Sequence, residues 1–372
     1  MIEPSCHVRI NWEHFRHNVV TLMNRGHDLM PVIKADAYGH GVTDAARVLE
    51  RTGIKWAAAG TLQEAALVRD TGFSGNIVSL LSRVPGDEDV RLACEKQLTP
   101  LIHNREGLLA SRDAVRRLHR EKPLTIAVKV DTGMGRLGFP LEHMEKVAEF
   151  LAATPELTPL VQISHLAVAD DPAESEYTLH QCDIFYRAAD ILHRNFPDMR
   201  CSLGNTAGLL EGVTAEDDIC RPGLALYGYD PLYGTTHEGL SGPLLPVMEV
   251  SAPIISVHPL HKGESLGYGR TYKAETERLV GWVAMGYADG YRRNPAPGTC
   301  MCIKGVRVPV IGRVAMQMTC VDRTDLPEPP APGDLAYILG GPGNAVCAQE
   351  LAEWWGTIPY EVTCLLGKNK TK

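Results

Sequence analysis

The amino-acid sequence predicts a (β/α)8 barrel followed by a mostly antiparallel β domain, and three observations carry that expectation. From about Asp28 to about Tyr229, eight short apolar runs alternate with longer stretches whose apolar residues recur every three or four positions. After Gly234 the texture changes to shorter β-rich runs broken by Gly and Pro. The 372 residues suffice for two cores, and 44% hydrophobic with 22% charged residues is ordinary globular composition, which excludes a disordered chain.

The eight apolar runs are Leu29–Lys34, Trp56–Ala59, Asn76–Leu81, Leu98–His103, Thr125–Asp131, Leu160–Ala167, Arg200–Gly204 and Ile219–Tyr227. Helical spacing marks Thr43–Arg51, Thr61–Asp70, Glu106–Arg120, Leu141–Ala153 and Glu174–Asn195 between them. An open doubly wound sheet is the alternative to closure. Further strands are expected at Met248–His258, Leu279–Met285, Thr299–Ile303, Val308–Ile311, Thr319–Val321 and Leu335–Leu339, with the prolines of 327–332 in a rigid loop. The boundary falls near residue 240, giving a barrel domain of 1–240 and a β domain of 241–372, the first residues being candidates to pair with the latter.

A net charge of −8 with pI near 6.0, and no basic block interleaved with aromatics, argue against a nucleic-acid surface. The busiest basic stretch, Arg112 to Lys122, also holds Asp113 and Glu121 and reads as a solvated helix face. No apolar run approaches the roughly 20 residues that span a bilayer, and Met1 to Phe15 lacks a signal-peptide core, so a soluble cytoplasmic protein is expected. The ten cysteines are scattered and read as reduced thiols; Cys300 and Cys302 have a strand-like gap, and no metal-ligand set is seen.

Chemistry-bearing residues collect at the C-terminal ends of the apolar runs, where barrel enzymes place their sites. Lys34 ends the first, in Pro31-Val32-Ile33-Lys34-Ala35-Asp36-Ala37-Tyr38-Gly39-His40-Gly41, where burial would disfavour the ammonium and free the amine as a nucleophile. A lysine that snorkels out of a strand end is the plainer reading of Lys34 alone. Lys129 and Asp131 end the fifth run, His165 the sixth, Asn205 and Thr206 follow the seventh, and Arg221 lies in the eighth. Individually each could be a loop cap or an ion-pair partner. The spacing Gly133, Gly135, Gly138 matches a dinucleotide fingerprint, although Arg136 within it and Lys129 and Asp131 before it are unusual company for one.

The Lys34 segment closely resembles the signature of alanine racemases, in which the lysine carries pyridoxal phosphate. Asp131-Thr132-Gly133-Met134-Gly135-Arg136-Leu137-Gly138-Phe139 is similar to that family's motif around an arginine serving the cofactor's phenolic oxygen and the substrate carboxylate. The same resemblance implies that Lys129 is carbamylated and braces Arg136. In Cys220-Arg221-Pro222-Gly223-Leu224 it places Arg221 at the pyridine nitrogen, with His165 beside it. It assigns phosphate binding to Tyr38, Thr206, the backbone at Gly223 and Leu224, and Tyr360, groups Asn205 with them, and departs mildly at Thr206, where serine is expected.

Racemisation needs an acid/base on each face of Cα, and the resemblance names Lys34 and Tyr268, the latter in Leu266-Gly267-Tyr268-Gly269-Arg270-Thr271-Tyr272. Two further strings, Met285–Gly290 and Gly312–Met316, place Tyr287, Arg293 and Arg313 at an entry channel and the Met316 amide at the substrate carboxylate. Gln317 stands where the family has aspartate. The resemblance thus implies an alanine racemase, a homodimer with shared active sites that supplies D-alanine for peptidoglycan. Serine or broad-specificity racemases, and decarboxylases on the same barrel, are the alternatives.

Overall fold

The computed structural model describes residues 6–81 and 83–369; residues 1–5, 82 and 370–372 of the expected domain spans lie outside them. Packing divides the chain into two units. Of the described residues, one comprises those of Trp12–Ala37 and Gly41–Leu245; the other holds 6–11, Tyr38–His40 and 246–369.

The first strand, β1 (His7–Ile10), belongs to the second unit. The first unit contains β2 (Asp28–Leu29), β3 (Trp56–Ala59), β4 (Asn76–Ser79), β5 (Leu98–Ile102), β6 (Leu124–Lys129), β7 (Leu157–Ile163), β8 (Arg200–Ser202) and β9 (Ile219–Cys220). Strands β3 to β8 form one parallel sheet in chain order, and β2 pairs in parallel with β9. Backbone hydrogen bonds join the two pieces on both sides. Ile33 donates to Ala58 O at 2.8 Å beside β3, and Arg221 donates to Gly204 O at 2.8 Å just beyond β8. Strands such as β3 and β5 are buried on every residue, as expected where helices cover a parallel sheet.

Helix starts follow local chemistry. Thr61 accepts from Glu64 N at 3.1 Å to open Leu62–Asp70, and Asn104 accepts from Gly107 N at 2.8 Å to open Arg105–Arg117. The helices Trp12–Met23 and Asp87–Lys96 are additional to those read from spacing. The expected helix Leu141–Ala153 begins as a 3-10 turn at Leu141–His143 before Met144–Ala152. Two expected strands are shorter than their apolar runs. The first regular strand stops at Leu29, and the last stops at Cys220, so Arg221 lies beyond it, where Pro222 has no N–H to continue a ladder.

In the second unit β1 is joined by β10 (Met248–Leu260), β11 (Ser265–Leu266), β12 (Tyr272–Lys273), β13 (Arg278–Val283), β14 (Cys300–Ile303), β15 (Val306–Ile311), β16 (Thr319–Asp322) and β17 (Leu335–Leu339). The antiparallel order is β1-β10-β13-β16-β15-β14-β17, and β17 pairs again with β10. Register shifts near Val250 and Ile254 bend this 13-residue strand so that it can serve three neighbours. Leu260, Leu266, Val280, Ile311 and Cys320 pack into one core cluster, with Tyr272 and Trp282 against it. The helices Ala348–Trp355 and Pro359–Leu366 close the unit.

The glycine fingerprint is not a nucleotide loop. The Asp131 carboxylate accepts from Gly133 N at 3.0 Å and Gly135 N at 3.1 Å, and Phe139 N returns to Lys129 O at 2.9 Å. The loop folds back onto its own strand end before any helix begins. Gly138 has φ +134°, and a Cβ there would lie 2.3 Å from Asp131 N, whereas Gly135, at φ +66°, has open space. Gly138→Ala is therefore expected to cost more than about 2 kcal/mol and Gly135→Ala about 1 kcal/mol. Urea unfolding of the two variants checks this, and equal losses would contradict the packing role of Gly138.

Candidate active site

Lys34 opens a single left-handed turn. Ala35, Asp36, Ala37 and Tyr38 all have φ between 53° and 54° although none is glycine. Each such residue costs roughly 1–2 kcal/mol, so this conformation persists only because its surroundings hold it. Ala37 donates to Ile33 O at 3.0 Å, Gly41 to Asp36 O at 2.8 Å, and Val42 to the Asp36 carboxylate at 2.8 Å. The turn corrects one expectation: Lys34 is not buried at a strand end. Ile33 is fully buried, and Lys34, Ala35 and Asp36 are exposed, so the amine emerges at the rim.

Arg221 is buried at the same rim. Its guanidinium donates to Ser202 O and Ser202 Oγ at 2.6 Å each, to Leu203 O at 3.1 Å and to Ser164 O, with His165 Nδ1 at 3.4 Å. Burial pulls its pKa down to about 10, against the opposing charge of Asp217. That carboxylate, itself buried, accepts from Leu203 N at 2.7 Å, Gly204 N at 2.6 Å and Tyr186 Oη at 3.0 Å. Lys129 is buried with Nζ 3.5 Å from Ser164 Oγ. Burial, then Arg221 and Arg136, hold its amine well below the ordinary lysine range. Burial and the cations Arg221, Lys129, Arg136 and Lys34 likewise hold His165 well below its ordinary value. His165 is thus within electrostatic reach of all four cations, with Arg136 on the exposed glycine loop.

Thr206 opens a short helix, Thr206–Glu211, capped by Asn205, whose Oδ1 accepts from Gly208 N at 2.9 Å. Gly223 N donates to Thr206 Oγ1 at 2.9 Å, so this amide serves the hydroxyl and leaves the hydroxyl hydrogen to be given elsewhere. Leu224 begins the buried 3-10 turn that follows.

Tyr38 belongs to the second unit, where its ring lies 5.5 Å from that of Tyr360; burial and then Tyr360 raise its pKa. In the same unit Tyr268 stands 67% exposed on a 3-10 turn. The Arg313 guanidinium lies against this turn, 3.0 Å from where a Cβ on Gly269 would be. Tyr287 N donates to Ala315 O at 3.1 Å, Ala288 N to Met316 O at 2.9 Å and Val314 N to Arg293 O at 3.3 Å. A Cβ on Gly286 would lie 2.3 Å from Ala315 O, so glycine lets the two strings touch. Tyr268, Tyr287, Arg293, Arg313 and Met316 are thereby gathered in this unit.

Sequence reasoning missed Glu64, Asp217, Ser164 and Ser202. Only Glu64 carried a signal, the capping-box spacing Thr61-Leu62-Gln63-Glu64 after an apolar run. The first unit's rim sets four basic side chains, Lys34, Lys129, Arg136 and Arg221, against the carboxylates of Asp131 and Asp217. That balance, with the Thr206 hydroxyl, fits an anionic cofactor bearing a phosphate.

Residues 10–231 match the family model described as alanine racemase, N-terminal domain, and residues 247–372 the one described as alanine racemase, C-terminal domain. The chain is an isomerase of the pyridoxal-phosphate-dependent racemase class. An alanine racemase of Nitratidesulfovibrio vulgaris (strain Miyazaki F) is 45% identical over 97% of this chain and 96% of that one. The crystal structure of alanine racemase from E. faecalis superposes with a TM-score of 0.89 at 28% identity, covering 100% of this chain and 99% of that one. The biosynthetic alanine racemase of Pseudomonas aeruginosa gives 0.84 at 32% identity, covering 98% and 97%. This chain belongs to the alanine racemase family.

The depressed pKa of His165 has a measurable consequence. As pH falls through 6.5 the unfolded chain takes up a proton that folded His165 refuses, so stability is lost on the acid side. In the cofactor-free protein the His165 imidazole should remain neutral by NMR below pH 6.5, and His165→Asn should flatten the acid loss seen in urea unfolding. Protonation at or above 6.5 would contradict the arrangement.

Proposed function

We propose that this protein interconverts L-alanine and D-alanine, with Lys34 holding pyridoxal phosphate and Lys34 and Tyr268 exchanging the Cα proton on opposite faces. The observation that carries the reading is Arg221, a guanidinium fixed by backbone and serine oxygens beside His165. Pyridoxal phosphate, when bound, supplies the electron sink that acidifies the Cα–H bond. Arg221 would face the ring nitrogen and keep its own proton at neutral pH, which would limit that sink and favour return of the proton to Cα. By the family resemblance, Tyr38, Thr206, the backbone at Gly223 and Leu224, and Tyr360 would hold the phosphate, with Asn205 beside Thr206. Arg136 would bind the substrate carboxylate together with the Met316 amide, and Tyr287, Arg293 and Arg313 would line the approach.

Lys129 supports a further part of the reading. A buried amine among guanidiniums is neutral more readily than an exposed one and can add carbon dioxide, and the resulting carbamate would brace Arg136. A phenol needs a neighbouring cation to give up its proton at neutral pH, and Arg313 stands against the Tyr268 turn. The family resemblance further suggests a cytoplasmic homodimer that supplies D-alanine for peptidoglycan. Gln317, exposed beside Met316, adds no negative charge at the carboxylate site.

Borohydride reduction followed by peptide mapping should place the cofactor on Lys34, and mass measured under mild conditions should show one carbon dioxide added at Lys129. The same protein should racemise alanine faster than serine. A label on another lysine, or a preference for serine, would overturn the corresponding part.

Shared sites have their own test. If Lys34 of one chain works with Tyr268 of its partner, inactive Lys34→Ala and Tyr268→Phe homodimers unfolded and reassembled together should regain activity. Heterodimers are about half of the random pairs and hold one intact site of two, so recovery should approach roughly one quarter of wild type. Mixed dimers that stay inactive would place both residues in one subunit's site.

A further inference from the structure

One carboxylate ties the Lys34 turn to the neighbouring strand–helix corner. Glu64 Oε2 accepts from Gly60 N at 2.9 Å and Thr61 N at 3.4 Å, closing the capping box of the helix Leu62–Asp70. Its other oxygen, Oε1, accepts from Asp36 N at 3.0 Å, inside the left-handed turn. Gly60 completes the lock. A Cβ there would lie 2.5 Å from Glu64 Oε2 and 3.3 Å from Lys34 Cβ, so glycine is what allows the carboxylate and the lysine to share this corner.

We propose that Glu64 is a positioning residue, holding the left-handed turn so that the Lys34 amine leaves the rim at a fixed place. This rests on the reading of Lys34 as the cofactor-bearing lysine. A helix cap alone does not need a carboxylate, because glutamine closes a capping box equally well. Bridging two sets of amides does need one. A glutamine has a single acceptor oxygen, so when that oxygen serves Gly60 and Thr61 its amide nitrogen faces the Asp36 N–H, donor against donor. Ordinary capping and turn support can therefore be separated by one substitution.

The test compares Glu64→Gln, Gly60→Ala and Thr61→Ala as holoenzymes, using amide hydrogen exchange resolved to residues 34–38, thermal melting, and kcat and KM for alanine. Glu64→Gln should speed exchange at Asp36 at least roughly tenfold and lower kcat by a similar factor, with KM within about twofold and little change in melting. Thr61→Ala, which removes only the helix cap, should lower the melting temperature and leave exchange at 34–38 unchanged. Gly60→Ala, at an ordinary φ, would displace the whole carboxylate, so it should combine the faster Asp36 exchange and lower kcat with a lower melting temperature, and it carries the exchange test should Glu64→Gln not fold. Unchanged Asp36 exchange in Glu64→Gln, or equal acceleration in Thr61→Ala, would reduce Glu64 to a helix cap. Borohydride mapping of wild type to a different lysine would instead overturn the reading of Lys34 and leave the exchange result standing.

Discussion

A guanidinium buried where the barrel closes organises the first unit. Arg221 reaches the ends of two neighbouring strands, β7 through Ser164 O and β8 through Ser202 O and Leu203 O, and its own backbone N–H pairs with Gly204 O. Burying that charge is tolerable because both terminal nitrogens meet acceptors and because the Asp217 carboxylate opposes it. Asp217 in turn is held by the amides of the loop that Arg221 grips. The basic character of the rim follows. Burial first, and then the like charge of Arg221, make a proton on His165 or Lys129 costly, so both hold one less readily than an exposed group would.

The two units contribute different chemistry. The first supplies cations and a hydroxyl on short strand ends, geometry fixed by the parallel sheet. The second supplies exposed phenols and arginines on turns of an antiparallel sheet, held by backbone contacts so close that Gly286 admits no side chain. Positional accuracy in one comes from strand register, and in the other from two loops locked edge to edge.

Much of this was legible in the sequence, and the exceptions share a cause. The strands of the β unit match their apolar runs closely because alternation and Gly/Pro punctuation are local signals. Lys34 was visible through its neighbours, yet its exposure was not, since Ala-Asp-Ala-Tyr has none of the glycine or asparagine that usually announces a left-handed turn. Arg221 read as a strand residue because apolar residues continue to Tyr227, whereas Pro222 and the 3-10 turn end the ladder sooner. Asp217 was invisible for a deeper reason: its partners, the Leu203 and Gly204 amides and the Tyr186 hydroxyl, come from other elements. The glycine fingerprint misled in the opposite sense. Spacing alone cannot tell a phosphate loop from a turn wrapped round its own aspartate.

The pairing of β1 with β10 sets a schedule for the nascent chain. His7 lies opposite Ser251 and Ile10 opposite Met248, so this strand leaves the ribosome well before its partner, which is made only after the whole first unit. At about 5–20 residues per second that interval is on the order of ten seconds or more, during which an unpaired strand is open to the wrong neighbour. Its sequence, His-Val-Arg-Ile, sets polar residues between the apolar ones, and His7 and Arg9 remain exposed after pairing. The polar face thus acts as a guard during synthesis, keeping the segment solvated until its partner exists.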